Sequence, residues 1–79
     1  MSKEQQTKYP WHLAPDWAMW AATDEDGSEY FYEKVPHIQG AYWKKEIGSL
    51  AVFFITPNPE PIDWQKSLEK RPKQHGTTN

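Results

Sequence analysis

The chain has 79 residues, with five Trp, four Tyr, three Phe and no cysteine, and a formal net charge of −2 from nine basic and eleven acidic side chains. A domain this small buries only about 60–65% of the surface its unfolded chain exposes, so its stability is marginal without disulfides, metals, assembly or large side chains. The lack of cysteine excludes disulfides and thiolate metal sites, and the slight acidic excess argues against phosphate binding while falling short of the dense carboxylates of a nucleic-acid mimic.

Residues Met1–Lys8 are polar and aperiodic, the pattern of a disordered leader. From Tyr9 the sequence Tyr-Pro-Trp-His-Leu-Ala-Pro predicts an extended, irregular arm to Asp16, because Pro10 and Pro15 fix their own φ and bias Tyr9 and Ala14 toward extended geometry. Trp11 and Leu13 on that arm are expected to cover one face of a sheet. The stretch Trp17–Thr23 mixes helix formers with a short length, and the turn cluster Asp24-Glu25-Asp26-Gly27 that follows decides for a strand. Ser28–Glu33 is then the second strand of a hairpin, with Tyr30 and Tyr32 on one face and Phe31 on the other with Glu29 and Glu33. One face is expected to be core and the other to meet solvent or a partner.

Lys34–Gly40 reads as a loop containing Pro36, and Ala41–Glu46 as a third strand in which Tyr42 and Trp43 face opposite ways. Leu50–Ile55 (LAVFFI) is the most apolar segment and reads as a strand buried on both sides. Thr56–Pro61 has three prolines at alternate positions and predicts a polyproline-like connector. In Asp63–Arg71 an N-cap candidate, Trp64 and Leu68 four apart, and basic residues before Pro72 predict a short C-terminal helix, followed by a polar, disordered tail over 73–79. The expected fold is α+β: one domain over 9–72, a three- to four-stranded antiparallel sheet between Trp17 and Ile55, and one helix.

Catalytic chemistry is scarce in this pattern. His12, His37 and His75 have no partner at metal-ligand spacing, and nucleophile elbows and Gly-rich phosphate loops are missing. Asp24–Gly27 lacks the alternating ligands of a calcium loop and reads as a solvated hairpin tip. Glu29 and Glu33 share a strand side without the apolar pocket that raises a carboxyl pKa. The expectation is a non-enzymatic protein without metal or cofactor. No run approaches the ~20 apolar residues of a membrane span, and the start of the chain has no signal-like apolar core, so membrane and nucleic-acid partners are not expected and a soluble, intracellular protein is. The aromatic excess suits a protein interface, with Trp20, Tyr30, Tyr32 and Trp43 on the sheet and Asp24 and Asp26 at the acidic tip as candidate binding residues.

Two resemblances add to this reading. Gly27, Tyr30 and Phe31 between Trp17 and Trp43 resemble a WW domain, at longer spacings than in that family; this implies a groove of Tyr30, Tyr32 and Trp43 for a proline-rich peptide. Trp17–Trp20, the Asp24–Gly27 turn, Tyr30–Tyr32 and the closing Asp-Trp-x-x-Ser-Leu-Glu-x-Arg-Pro segment Asp63–Pro72 are together similar to small uncharacterised proteins of tailed bacteriophages. That resemblance implies action in the host cytoplasm on a host protein, in takeover or counter-defence, and assigns no functional residue. The alternatives are a homo-oligomeric accessory or structural phage protein, of which a homodimer is one form, and a protein that sequesters a small ligand or nucleotide.

Overall fold

The described residues, 8–56 and 62–73 of a computed structural model, hold six short strands and two single turns of 3-10 helix. The strands are β1 (Trp20–Thr23), β2 (Glu29–Tyr32), β3 (His37–Gln39), β4 (Tyr42–Lys44), β5 (Ala51–Phe54) and β6 (Glu69–Lys70). One antiparallel sheet has the order β5-β2-β1-β6, and β3 pairs with β4 as a separate hairpin. The expected leader (but for Lys8), proline connector (but for Thr56) and tail (but for Lys73) lie outside the described residues.

The β1–β2 hairpin follows from its turn. Gly27 N–H donates to the Asp24 carbonyl at 2.9 Å, Asp24 N–H donates to the Ser28 carbonyl at 2.8 Å, and Gly27 takes φ +93°, a left-handed conformation that glycine adopts without strain. Trp20 is thereby set opposite Tyr32 and Ala22 opposite Tyr30, while Ala21 faces Phe31 on the other side.

Both faces of this hairpin are covered, where one was expected to be open. Ala21 and Ala22 on the central strand are fully buried and too small to fill the space above them. On one side Tyr9, Trp11, Ala18 and Phe31 close over Ala21, with Trp17 and Phe54 at the margin. On the other, Tyr32 and Trp43 close over Ala22, with Trp20, Tyr30, Trp64 and Leu68 around them. Small residues on the strand and wide rings from the flanking segments thus make two thin cores, each ring side chain contributing roughly 1.5–3 kcal/mol when fully buried. On the arm, Trp11 is buried as expected, within a 3-10 turn (Trp11–Leu13), whereas Leu13 stays exposed.

Three expectations are corrected. The Asp63–Arg71 helix is one 3-10 turn, Trp64–Lys66, and the described residues contain no α-helix, so the fold is a small antiparallel β structure. Asp63 does cap that turn, its Oδ1 accepting Gln65 N–H at 3.2 Å. Ser67 then ends it: its hydroxyl donates to the Trp64 carbonyl at 2.7 Å and accepts Thr23 N–H at 2.8 Å, and the chain leaves to pair β6 with β1. The Lys34–Gly40 loop contains β3, because Gly40 (φ +63°) and Ala41 form a two-residue turn whose first residue takes the left-handed φ that tight hairpins need and glycine supplies. Finally, β5 is an edge strand with Ala51, Val52 and Phe53 exposed, because the covering rings stop at β2 and Phe54.

Candidate interaction surface

The Asp63–Pro72 segment is used up by the fold. Trp11 Nε1–H donates to Glu69 Oε2 at 2.7 Å, and the Lys8 ammonium pairs with Glu69 Oε1 at 3.2 Å. The Arg71 guanidinium donates to the carbonyls of Pro15 and Ala18, both at 2.8 Å, and lies over the Trp11 ring. Ser67 sits in a buried network with Thr23 and the Tyr9 hydroxyl. These side chains tie the N-terminal arm to β6, and burial raises the Tyr9 phenol above its ordinary pKa against the pull of its hydrogen bonds to Thr23 and Ser67.

Glu29 and Glu33 are likewise spent, as clamps on β5. The Glu29 carboxylate accepts Thr56 N–H at 2.8 Å and the Thr56 hydroxyl at 2.7 Å, and Glu33 Oε1 accepts Leu50 N–H at 3.2 Å. His37 Nε2 pairs with Glu46 Oε2 at 2.5 Å across the β3–β4 hairpin. His12 is exposed, and His75 lies outside the described residues. Among the described residues no group of three or more His, Cys, Asp or Glu is placed to hold a metal ion, and no helix is long and apolar enough to cross a membrane.

Four of the six candidate binding residues meet around one shallow groove of about 270 Å³: Asp24, Tyr30, Tyr32 and Trp43, together with Tyr42, Lys45 and Ala51. Within it the roles divide by burial. Tyr32 is 2% exposed and Trp43 8%, so both form the floor. The Tyr32 hydroxyl donates to the Trp43 carbonyl at 3.3 Å, and Trp43 Nε1–H donates to the Trp64 carbonyl at 3.1 Å. Burial first, then the charge of Asp24, pushes the Tyr32 phenol far above the ordinary tyrosine value. Asp24 turns inward, its Oδ1 accepting Trp43 N–H at 2.8 Å, and burial raises its carboxyl above the usual range against that hydrogen bond.

The other two candidates lie elsewhere. Trp20 packs at the margin of the same core with the Lys70 ammonium 6.0 Å above its ring. Asp26 is exposed at the tip, where accepting Ser28 N–H at 2.9 Å lowers its pKa.

The exposed aromatic side chains are ones not singled out beforehand. Tyr42 is 43% exposed and Phe53 53%, and Phe53 meets Tyr30 edge-on with ring centroids 5.7 Å apart. Tyr42, Tyr30 and Phe53 thus run as a strip from the hairpin across β2 to β5. Period-two alternation offers a signal for Tyr42, since Trp43 faces the opposite way. Phe53 carried none, because its strand reads as buried.

A larger cleft of about 850 Å³ lies at the far end of β5, lined by Tyr9, Phe53, Phe54, Ile55 and Ile62 among others. Its polar groups are engaged: Tyr9 with Thr23, Lys8 with Glu69, Glu29 with Thr56, and Asp26 with Ser28. No family model, curated protein or solved structure matches the chain.

Proposed function

We propose that this is a non-enzymatic binding protein of the phage-encoded kind its sequence resembles, which holds a host protein through the Tyr42–Tyr30–Phe53 strip beside the acidic turn and so inhibits or redirects it. The observation that carries the reading is a row of aromatic rings, Tyr42 and Phe53 exposed and Tyr30 half-buried between them, beside a floor already satisfied by hydrogen bonds. Rigid aromatic side chains of this kind dominate protein interfaces at low cost in side-chain entropy. The groove that Tyr42 and Tyr30 border, about 270 Å³, falls below the ~300–1,000 Å³ typical of a small-molecule site and suits one large side chain of a partner. Lys45, which lines the groove, and the exposed Glu25 and Asp26, which follow Asp24 in the turn, give the partner charges of both signs.

Affinity capture from bacterial lysate tests the reading. A host protein retained by the wild-type chain and by an Ile38→Ala control, and lost with Tyr42→Ala and Tyr30→Ser, is the expected result. Capture that is indifferent to both strip substitutions would overturn it.

A further inference from the structure

The two edges of the main sheet are treated differently. On one side β6 has two residues, Glu69 and Lys70, and is followed by Arg71 and Pro72, so it is short, charged and stopped by proline. These are the devices by which edge strands avoid pairing with another chain. On the other side Leu50–Ile55 has no charge, no proline and no bulge in its pairing with β2. Ile55 is 73% exposed, and Leu50, Val52 and Phe53 are exposed with it.

The direction of its free backbone groups follows from its bonds. Glu33 N–H donates to the Leu50 carbonyl at 2.9 Å, which turns the even-numbered residues of this segment toward β2. In an antiparallel ladder the intervening residues aim both N–H and C=O the other way. Ala51, Phe53 and Ile55 therefore present their polar groups outward, and no described residue bonds to those of Ala51 or Phe53. The Glu33 and Glu29 clamps at the two ends hold the strand fixed from its inner side.

We propose that two copies of the chain pair antiparallel through the outer edges of β5, about a dyad at Phe53, and join their sheets into one. In this register Phe53 faces Phe53 of the second copy and Ala51 faces Ile55, and each such pair exchanges two backbone hydrogen bonds. Val52 faces Phe54 between them. Every cross-strand neighbour from Ala51 to Ile55 is apolar, so the strand is complementary to itself, as an isologous interface requires, and no like charges meet across it. The net charge of −2 adds little repulsion between copies. A dyad normal to the sheet keeps each face on its own side, so the two Tyr42–Tyr30–Phe53 strips become one continuous row. The dimer rests on β5 alone and stands whether or not that row binds a host protein.

Sedimentation equilibrium of the full chain from ~1 to ~200 µM, a span that covers weak and moderate affinities, tests it together with three kinds of variant. The expected result is a mass that rises with concentration from one chain to two. Ala51→Pro removes an outward N–H and no β2 bond, and Ile55→Lys places a charge on the edge; each holds the mass at one chain while tryptophan fluorescence stays native. Phe53→Cys, in a chain with no other thiol, crosslinks under mild oxidant at least tenfold faster than Ile47→Cys. Tyr42→Ala, which should lose the host protein, leaves the dimer mass unchanged and so separates the two readings. A wild-type mass of one chain throughout, a dimer that survives both edge variants, or equal crosslinking at positions 53 and 47 would each overturn the proposal.

Discussion

Asp24 Oδ1 accepts the backbone N–H of Trp43 at 2.8 Å, which fastens the tip of the first hairpin to the strand that covers its core. Neither residue is free for a partner in the way its position in the sequence suggests. Asp24→Ala leaves that part-buried N–H without an acceptor and is expected to lower stability by about 1–2 kcal/mol. Asp24→Asn keeps an oxygen there and costs less than half as much, read as denaturation midpoints at unchanged m-value. Because burial raises this carboxyl, its ionisation penalises the folded state, so its own contribution falls as pH rises through the carboxylate range. The wild type should therefore lose stability relative to Asp24→Asn as pH rises through that range.

Ser67, fully buried, serves Thr23 and the turn at Trp64 at once. Ser67→Ala removes the acceptor for the buried Thr23 N–H and should cost about 1–3 kcal/mol. Hydrogen exchange should locate the loss, with the Thr23 amide losing protection ahead of Phe31 and Tyr32. Equal loss at all three amides would instead mean that the network has no local hold on β1.

Alkaline pH should unfold the protein by a stated route. Tyr32 and Tyr9 are both held above the ordinary value near 10, so the folded chain keeps two phenolic protons that the unfolded chain releases. Their contribution is complete below about pH 10 and is lost as pH rises above it. Urea denaturation between about pH 8 and pH 11 should show this decline, and Tyr32→Phe should make it shallower. An unchanged slope in that variant would contradict the assignment.

Trp43 and Tyr42 are adjacent and separate core from surface. Trp43→Ala empties the floor of the groove and should cost about 3–5 kcal/mol, enough to unfold a domain of this size. Tyr42→Ala should change stability by less than about 0.5 kcal/mol, the usual range for exposed positions. Thermal melts of the two variants check the division.

The parts legible in the sequence are those with local causes. The Asp24–Gly27 turn, the alternation of Tyr30, Phe31 and Tyr32, and the Asp63 cap all depend on neighbours within a few residues. The rest depended on distant partners. The apolar run at β5 looks like a buried strand because hydrophobicity records what a segment prefers to bury, and whether the rings of Tyr9, Trp11, Trp43 and Trp64 reach over it is settled elsewhere in the chain. The C-terminal pattern looks helical until Ser67 finds Thr23, 44 positions away. Of the candidate site, the groove formed by Asp24, Tyr30, Tyr32 and Trp43 was foreseeable as a cluster, but the exposed rings of the strip, Tyr42 and Phe53, were set by the hairpin pairing and by the edge position of β5.

Isothermal titration of the captured host protein with wild-type chain and with Tyr42→Ala tests the central claim most directly. The account predicts at least a tenfold loss of affinity, about 1.4 kcal/mol, in a variant whose melting curve is unchanged. Equal affinity in a Tyr42→Ala variant of native stability would contradict it.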